Sequence, residues 1–256
     1  MKGFTGVFLG TGTSQGIPII GCDCSVCKSA NPYNKRLRTS FFFSYKEVDI
    51  VIDAGPDFRQ QMLQHNIVNV DAILLTHEHK DHTGGLDDIR PINFKKHQAM
   101  DVFGERRVLE SLKCEYSYVF KKKTYPGVPI MDLHEISNMP FTFKSLTIQP
   151  IRVYHWDLPV FGFRIDSFAY ITDASLIEDS EMQKLHNLDV LVVNALRFEK
   201  HYSHFNLDEA LRIIEILKPK HAYLTHISHY LGDHTETQQK LPPHVSLAYD
   251  GLQIQI

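Results

Sequence analysis

The stretch THEHKDHTGG, residues 76–85, places His77, His79, Asp81 and His82 in an H-x-H-x-D-H pattern directly behind an apolar run. Neutral imidazole and carboxylate are the usual protein ligands of zinc and related divalent metals. Alternate residues of an extended segment point the same way, so His77 and His79 can grip one metal. Asp81 and His82 follow a bend and can face a second metal beside the first. Gly84 and Gly85 let the backbone turn closely into the next helix. Four residues do not complete two metal sites. His155 in VYHWD is a candidate for the first metal, Asp173 in FAYITDA for a bridging carboxylate, and His226 in HAYLTH for the second metal. A separate group, Cys22, Cys24 and Cys27 in GCDCSVCKSANP, offers three thiolates. A closed tetrahedral zinc needs a fourth ligand. Cys114 and His229 compete for that place, and His229 is the better placed, three residues after His226 in LTHISH. An iron–sulfur cluster or unligated thiols are the competing readings, and the first lacks its usual four cysteines. Cys114 reads as a buried core cysteine, the common fate of a lone thiol.

These residues need elements to carry them. Five short β-like runs each end in a polar residue: VDIVIDAG in Asp53, VDAILLTH in His77, FAYITDA in Asp173, DVLVVNA in Asn194 and HAYLTH in His226. Apolar runs of this length, rich in Val, Ile and Leu, read as buried strands. Sites in helix-covered sheets gather at one end of the strands, so the repetition argues for one shared site at one sheet edge. GFTGVFLG and TSFFFSY add early strands. Helices alternate with them. DFRQQMLQH is one. NLDEALRIIEILK is another, with Asn206 as cap, Glu209 completing a capping box, and an apolar stripe of Leu207, Ala210, Leu211, Ile214 and Leu217.

Composition bounds the rest. The chain has 256 residues, 43% of them hydrophobic, a length and core within reach of one domain, and no repeat or linker divides it. A net charge of −3 gives no broad basic surface for long nucleic acid. The first residues lack a signal-peptide pattern, and no run of about 18 apolar residues suggests a membrane span. Four cysteines, three of them clustered, do not form a secreted disulfide framework, so the expected location is cytoplasmic. The lysines at 121–123 read as a solvated loop; Lys35, Arg36 and Arg38 in NKRLRTS read by default as another, with contact to an anionic substrate as the alternative. GTGTSQG reads either as a plain glycine turn or as a phosphate contact through backbone N–H groups.

The order H-x-H-x-D-H at 77–82, then His155, Asp173 and His226, resembles the metallo-β-lactamase-fold hydrolases over nearly the full length. That resemblance implies an α/β protein of one domain, 1–256: a four-layer αββα sandwich with a dinuclear metal site at one sheet edge. It gives His77, His79 and His155 to one metal, Asp81, His82 and His226 to the other, and Asp173 to both. Asp53 matches the strand-end aspartate that braces the ligand loop. The flavo-diiron branch carries glutamate where this chain has His79, which argues against redox chemistry. The GTGTSQGIPIIGCDCSVC stretch and the LTHISH ending are similar to the PhnP-type phosphodiesterases, which cleave phosphoribosyl cyclic phosphates. In that branch the three cysteines and the histidine at 229 hold a structural zinc. His204 in SHFNLDEA matches the general acid of phosphodiesterases of this fold, and with Asp81 it is the residue expected to serve catalysis.

The expected function is therefore hydrolysis of a small cyclic or activated phosphodiester, of the ribose cyclic phosphate or cyclic nucleotide type, by a hydroxide shared between two metals. The alternatives are tRNase Z-like RNA cleavage and acyl hydrolysis of a thioester or lactone. The long arm of tRNase Z lies between the third histidine and the bridging aspartate, and only 18 positions separate His155 from Asp173 here. Expected cofactors are two divalent metals, zinc or manganese with iron admitted by the ligand set, and one structural zinc. The expected partner is the small substrate, with no long nucleic acid and no membrane. A homodimer is implied by the resemblance alone.

Overall fold

The computed structural model describes residues 3–121 and 126–256. The strands are β1 Thr5–Gly10, β2 Ser40–Tyr45, β3 Val48–Ile52, β4 Ala72–Leu74, β5 Met100–Gly104, β6 Met131–Glu135, β7 Phe141–Phe143, β8 Leu146–His155, β9 Leu158–Ile165, β10 Phe168–Tyr170, β11 Val190–Asn194, β12 His221–Thr225, β13 Val245–Leu247 and β14 Gln253–Gln255. The α-helices are α1 Ser25–Lys28, α2 Phe58–Gln64, α3 Lys80–Thr83, α4 Arg90–Lys96, α5 Arg106–Glu115, α6 Asp179–Met182, α7 Leu207–Leu217 and α8 His234–Gln238. One seven-stranded sheet runs β14-β1-β2-β3-β4-β5-β6, and a second runs β13-β12-β11-β10-β9-β8-β7.

The near-continuous apolar runs are explained by burial on both faces. In β3, Ile50 and Ile52 join a core between the sheets, while Val51 joins a core under the helices of the first sheet. Ala72 and Leu74 against Ile73 and Leu75 repeat the division in and after β4. In β11, Val190 and Val192 face the other sheet, and Leu191 and Val193 face the layer of α7. A period of two with both faces covered requires helix, sheet, sheet and helix in succession. The chain is accordingly an αββα sandwich. Its central layer is aromatic: Phe168 lies 4.6 Å from Phe4 and 5.1 Å from Phe41, ring centre to ring centre.

The strongest helix signal is realised in full. Asn206 accepts from the Glu209 N–H at 2.9 Å, and Glu209 accepts from the Asn206 N–H at 3.1 Å. Leu207, Ala210, Ile214 and Leu217 of α7 are buried, and Leu211 packs partly against them. Two readings are corrected. Cys114 is exposed rather than buried, because α5 buries Val108, Leu109 and Leu112 and position 114 falls on the opposite side of that stripe. NKRLRTS is not a solvated basic loop: Arg36 is 3% exposed, Arg38 pairs with Asp57 at 3.0 Å, and Lys35 donates to the Cys27 carbonyl at 2.9 Å. Lys121 is exposed, and the rest of the lysine run lies outside the described residues. No helix among those residues is long and apolar enough to cross a membrane.

Candidate dinuclear metal centre

Parallel pairing of β3 with β4, and of β10 with β11 and β12, sends their carboxyl ends to one edge. β8, antiparallel to β9, which is antiparallel to β10, ends at the same edge. All the strand-end residues therefore arrive together. Asp53, Asp173 and His226 sit there with φ of 63°, 56° and 55°. This left-handed conformation is uncommon for side chains larger than glycine, and such strain concentrates at functional sites.

The ligand turn is pinned from below. Asp53 is fully buried. It accepts from the Thr76 N–H at 2.9 Å, the Thr76 hydroxyl at 2.8 Å and His82 Nδ1 at 2.6 Å. His77 Nδ1 lies 2.9 Å from the Thr76 oxygen. His155 Nδ1 donates to the Ser203 carbonyl at 2.8 Å. Each of these histidines thus spends Nδ1 on the protein and keeps Nε2 for the site, the usual arrangement around a metal-binding imidazole. Gly55 lets α3 approach: a Cβ there would lie 1.9 Å from the Asp81 carbonyl oxygen. Gly85 serves the same packing, with a Cβ 2.0 Å from the Gly55 carbonyl oxygen and no left-handed φ. The second wall is tied to the first. The Trp156 N–H donates to the Ser175 hydroxyl at 3.0 Å, and the Phe205 N–H to the Ala174 carbonyl at 2.6 Å. Asn194 brackets Ala174 with bonds of 2.8 and 3.0 Å, a bracing role that its strand-end position alone did not reveal.

Within this frame the donor atoms crowd together. His77 Nε2 and His79 Nδ1 are 3.0 Å apart. His82 Nε2 is 3.2 Å from Asp81 Oδ2 and 3.3 Å from Asp173 Oδ2, and His226 Nε2 is 3.1 Å from Asp173 Oδ1. His77, His82 and Asp173 form one compact donor group, Asp81, His82 and His226 a second, and His155, Asp173 and His204 a third. Asp173 joins the first to the third and His82 the first to the second. Among the described residues, neither nitrogen of the buried His226 has a hydrogen-bond partner, nor does His204 Nδ1. Leaving such atoms buried and unpaired is expensive unless another ligand takes them.

Electrostatics point the same way. Burial holds His77, His79 and His226 below the ordinary imidazole range, which keeps them neutral and able to donate a lone pair. Burial opposes ionisation of Asp173 and Asp81, yet His226 and His82 for the first, and His82 for the second, hold both well below the usual carboxylate range. Burial would lower His82 as well, but Asp81, Asp173 and Asp53 raise it far above its usual value. Three neutral imidazoles, His77, His79 and His226, thus sit beside carboxylates negative enough to hold a proton on His82; a divalent cation would take the place of that proton, and the donor set fits such metals.

The cysteines converge as well. Sγ of Cys22, Cys24 and Cys27 lie 3.3, 3.4 and 3.5 Å from His229 Nδ1. Tetrahedral bonds of about 2.3 Å to sulfur and 2.0 Å to nitrogen give edges of roughly 3.5 Å. The Cys27 N–H lowers the Cys24 thiol to about 6, while burial raises Cys27 to about 11. The N-terminal loop is held there by backbone: Thr13 N–H donates to the Ile227 carbonyl at 3.0 Å, and Ile227 N–H to that of Thr11 at 2.9 Å. The N–H groups of Gly12, Thr13 and Gly16 are taken by the Leu37, Ile227 and Thr13 carbonyls.

Comparison with known proteins agrees with this geometry. Residues 49–227 match the beta-lactamase superfamily domain. A diphosphatase of the PhnP family is similar over 99% of this chain and 97% of its own, with a TM-score of 0.92 and 38% identity. Zinc-bound PqqB from Methylobacterium extorquens shares the fold at a TM-score of 0.81 and 17% identity, over 98% of this chain and all of its own. A protein named octanoyltransferase from Porphyromonas gingivalis is 42% identical over 96% of this chain. The chain spans about half the length of that relative, 50% of it.

Proposed function

The chain belongs to the beta-lactamase superfamily and, within it, to the PhnP family, and is a metal-dependent hydrolase; within that class we propose that it cleaves a small cyclic or activated phosphodiester. In this reading His77, His79 and His155 would hold one divalent metal, Asp81, His82 and His226 would hold a second, and Asp173 would serve both. Cys22, Cys24, Cys27 and His229 hold a structural zinc. Bound there, the divalent pair supplies Lewis acidity toward phosphoryl oxygens and lowers the pKa of water. Asp53 and Thr76 fix the ligand tautomers. His204 lies between His155 at 4.5 Å and His226 at 4.8 Å ring to ring; burial pushes it down to about 2, so in this reading it takes up the proton it passes to the leaving oxygen only when an anionic phosphate lies beside it.

The observation that carries the choice of bond is the likeness to the PhnP-family diphosphatase, which acts on phosphorus–oxygen bonds, over almost the whole of both chains. Acyl chemistry is the second reading, favoured by the octanoyltransferase name. That name describes a protein about twice this length and does not say which half carries the activity. Initial rates on bis(p-nitrophenyl) phosphate and on a generic thioester, with the same manganese-loaded protein, separate the two. We expect phosphodiester turnover that disappears in Asp173→Ala. Thioester turnover alone would leave the metal centre standing and overturn the reaction.

A further inference from the structure

Two of the most exposed aromatic side chains flank the centre. Trp156 is 64% exposed and Tyr202 is 72% exposed, with ring centres 6.0 Å apart and planes at 81°. Trp156 directly follows His155, and Tyr202 precedes His204 by two residues. A series of rings leads inward from them. Tyr202 stacks on His201 at 4.4 Å, His201 stacks on His204 at 5.4 Å, and His204 lies 4.8 Å from the buried His226. The aromatic rim thus stands two ring steps from the proposed proton donor.

The placement of Trp156 is costly in itself. It occupies the first position of the two-residue turn between β8 and β9, across which His155 pairs with Leu158. Its φ is 59°. Hairpin turns of this length take glycine, asparagine or aspartate at left-handed positions, and a bulky residue there is an outlier. Folding stability does not explain it, since the ring buries little and the turn would be relaxed by glycine. A large ring held at the mouth of a site against its backbone preference points to a ligand that uses the ring.

We propose that Trp156 and Tyr202 form a stacking subsite for a planar nucleobase, so that the substrate is a nucleoside-bearing phosphodiester rather than a bare sugar phosphate. This rests on the phosphodiesterase reading above. Phosphate goes to the metal centre, and the base lies against the rim. Two rings at a steep angle present one face and one edge, and the indole N–H and phenol O–H add polar contacts beside the stack. Stacking of this kind tolerates any base, because every base has a π-face. One rim of two rings fits one base, so the occupant is a mononucleotide-sized molecule.

Trp156 is the only tryptophan in the chain, so its fluorescence reads the subsite directly. Adenosine monophosphate is expected to quench that emission saturably, and ribose 5-phosphate is not. Hydrolysis of 2′,3′-cyclic AMP and of glycerol 1,2-cyclic phosphate, followed by phosphorus NMR, supplies the second readout. In Trp156→Gly, which relaxes the turn, and in Tyr202→Leu, the ratio of the two kcat/KM values should fall about tenfold or more. No quench by the nucleotide, or an unchanged ratio in both variants, overturns the subsite while the phosphodiesterase reading stands. Quenching without hydrolysis of either ester overturns that reading and leaves the subsite. Emission that shifts with protein concentration and ignores nucleotide assigns the rim to a second copy of the chain instead.

Discussion

At the scale of single residues, His204 is the most informative side chain. It is 8% exposed, its Nδ1 has no hydrogen-bond partner among the described residues, and Asp173 Oδ1 lies 3.8 Å away. Its buried ring packs on His155 and His226, so its removal leaves a cavity and Tm is to be read beside the rate. The expected result for His204→Ala is a fall in kcat of about 10²–10⁴ with metal content unchanged, the usual size for removal of an acid catalyst. Metal analysis beside the kinetics checks it, because His204 also falls in a donor group with His155 and Asp173. Metal lost in step with activity would make His204 a ligand. Its candidacy is visible in SHFNLDEA, but its position between His155 and His226 is not, since those two come from distant strands.

At the scale of elements, the site depends on how closely two segments touch. The turn after β3 and helix α3 are joined by the Ala54 N–H donating to the His82 carbonyl at 2.8 Å and the Gly85 N–H donating to that of Ala54 at 2.9 Å. Gly55 has no room for a methyl group against the Asp81 carbonyl. Gly55→Ala should therefore push α3 and its ligands outward. We expect a protein with near-native circular dichroism, at least tenfold weaker metal binding and a lower Tm. Full metal occupancy in that variant, by competition with a chelator, would show that the turn yields elsewhere. A further brace holds the same turn from the outer side: Arg107 on α5 pairs with Glu78 between the two histidines, and Glu105 pairs with Arg152 of β8 at 2.6 Å. The spacing of His77, His79, Asp81 and His82 was legible; this clamp was not, because charged residues on a helix give no sign of which loop they meet.

At the scale of the molecule, a buried cation ties the N-terminal loop to the C-terminal segment. Arg36 donates to Thr11 Oγ1 at 2.7 Å and to the Ala248 carbonyl at 2.5 Å, and its second terminal nitrogen lies 3.0 Å from His234 Nδ1. Burial first, then the charge of Arg36, lowers His234 to about 4. Its folded value therefore lies below the unfolded value of about 6.5. The neutral ring contributes stability that is fully present above pH 6.5 and is lost as pH falls through 4. A shift of that size corresponds to about 3 kcal/mol. Urea midpoints at pH 7 and pH 5 should separate for the parent protein, and His234→Asn, which keeps an acceptor toward Arg36, should remove most of the separation. Equal separation in the two proteins would place the acid sensitivity in other groups.

The sequence by itself determined what local chemistry can determine. The period of two with apolar residues on both faces specified strands covered on both sides, the capping box specified where α7 starts, and the ligand residues at strand ends specified a metal centre at one edge. These signals are local, because side-chain direction follows from spacing within one element. Only the tertiary structure decided what stands beside what. Partners such as Cys22 and His229, or Arg36 and Ala248, are more than 200 residues apart, and their meeting depends on the order in which strands pair. The same cause accounts for the misread positions: Cys114 and Arg36 were judged by residue type, and their burial was set by which neighbouring layer covers them. The aromatic rim belongs to this second kind, since Trp156 and Tyr202 become one surface only when the end of β8 is packed against the loop before α7.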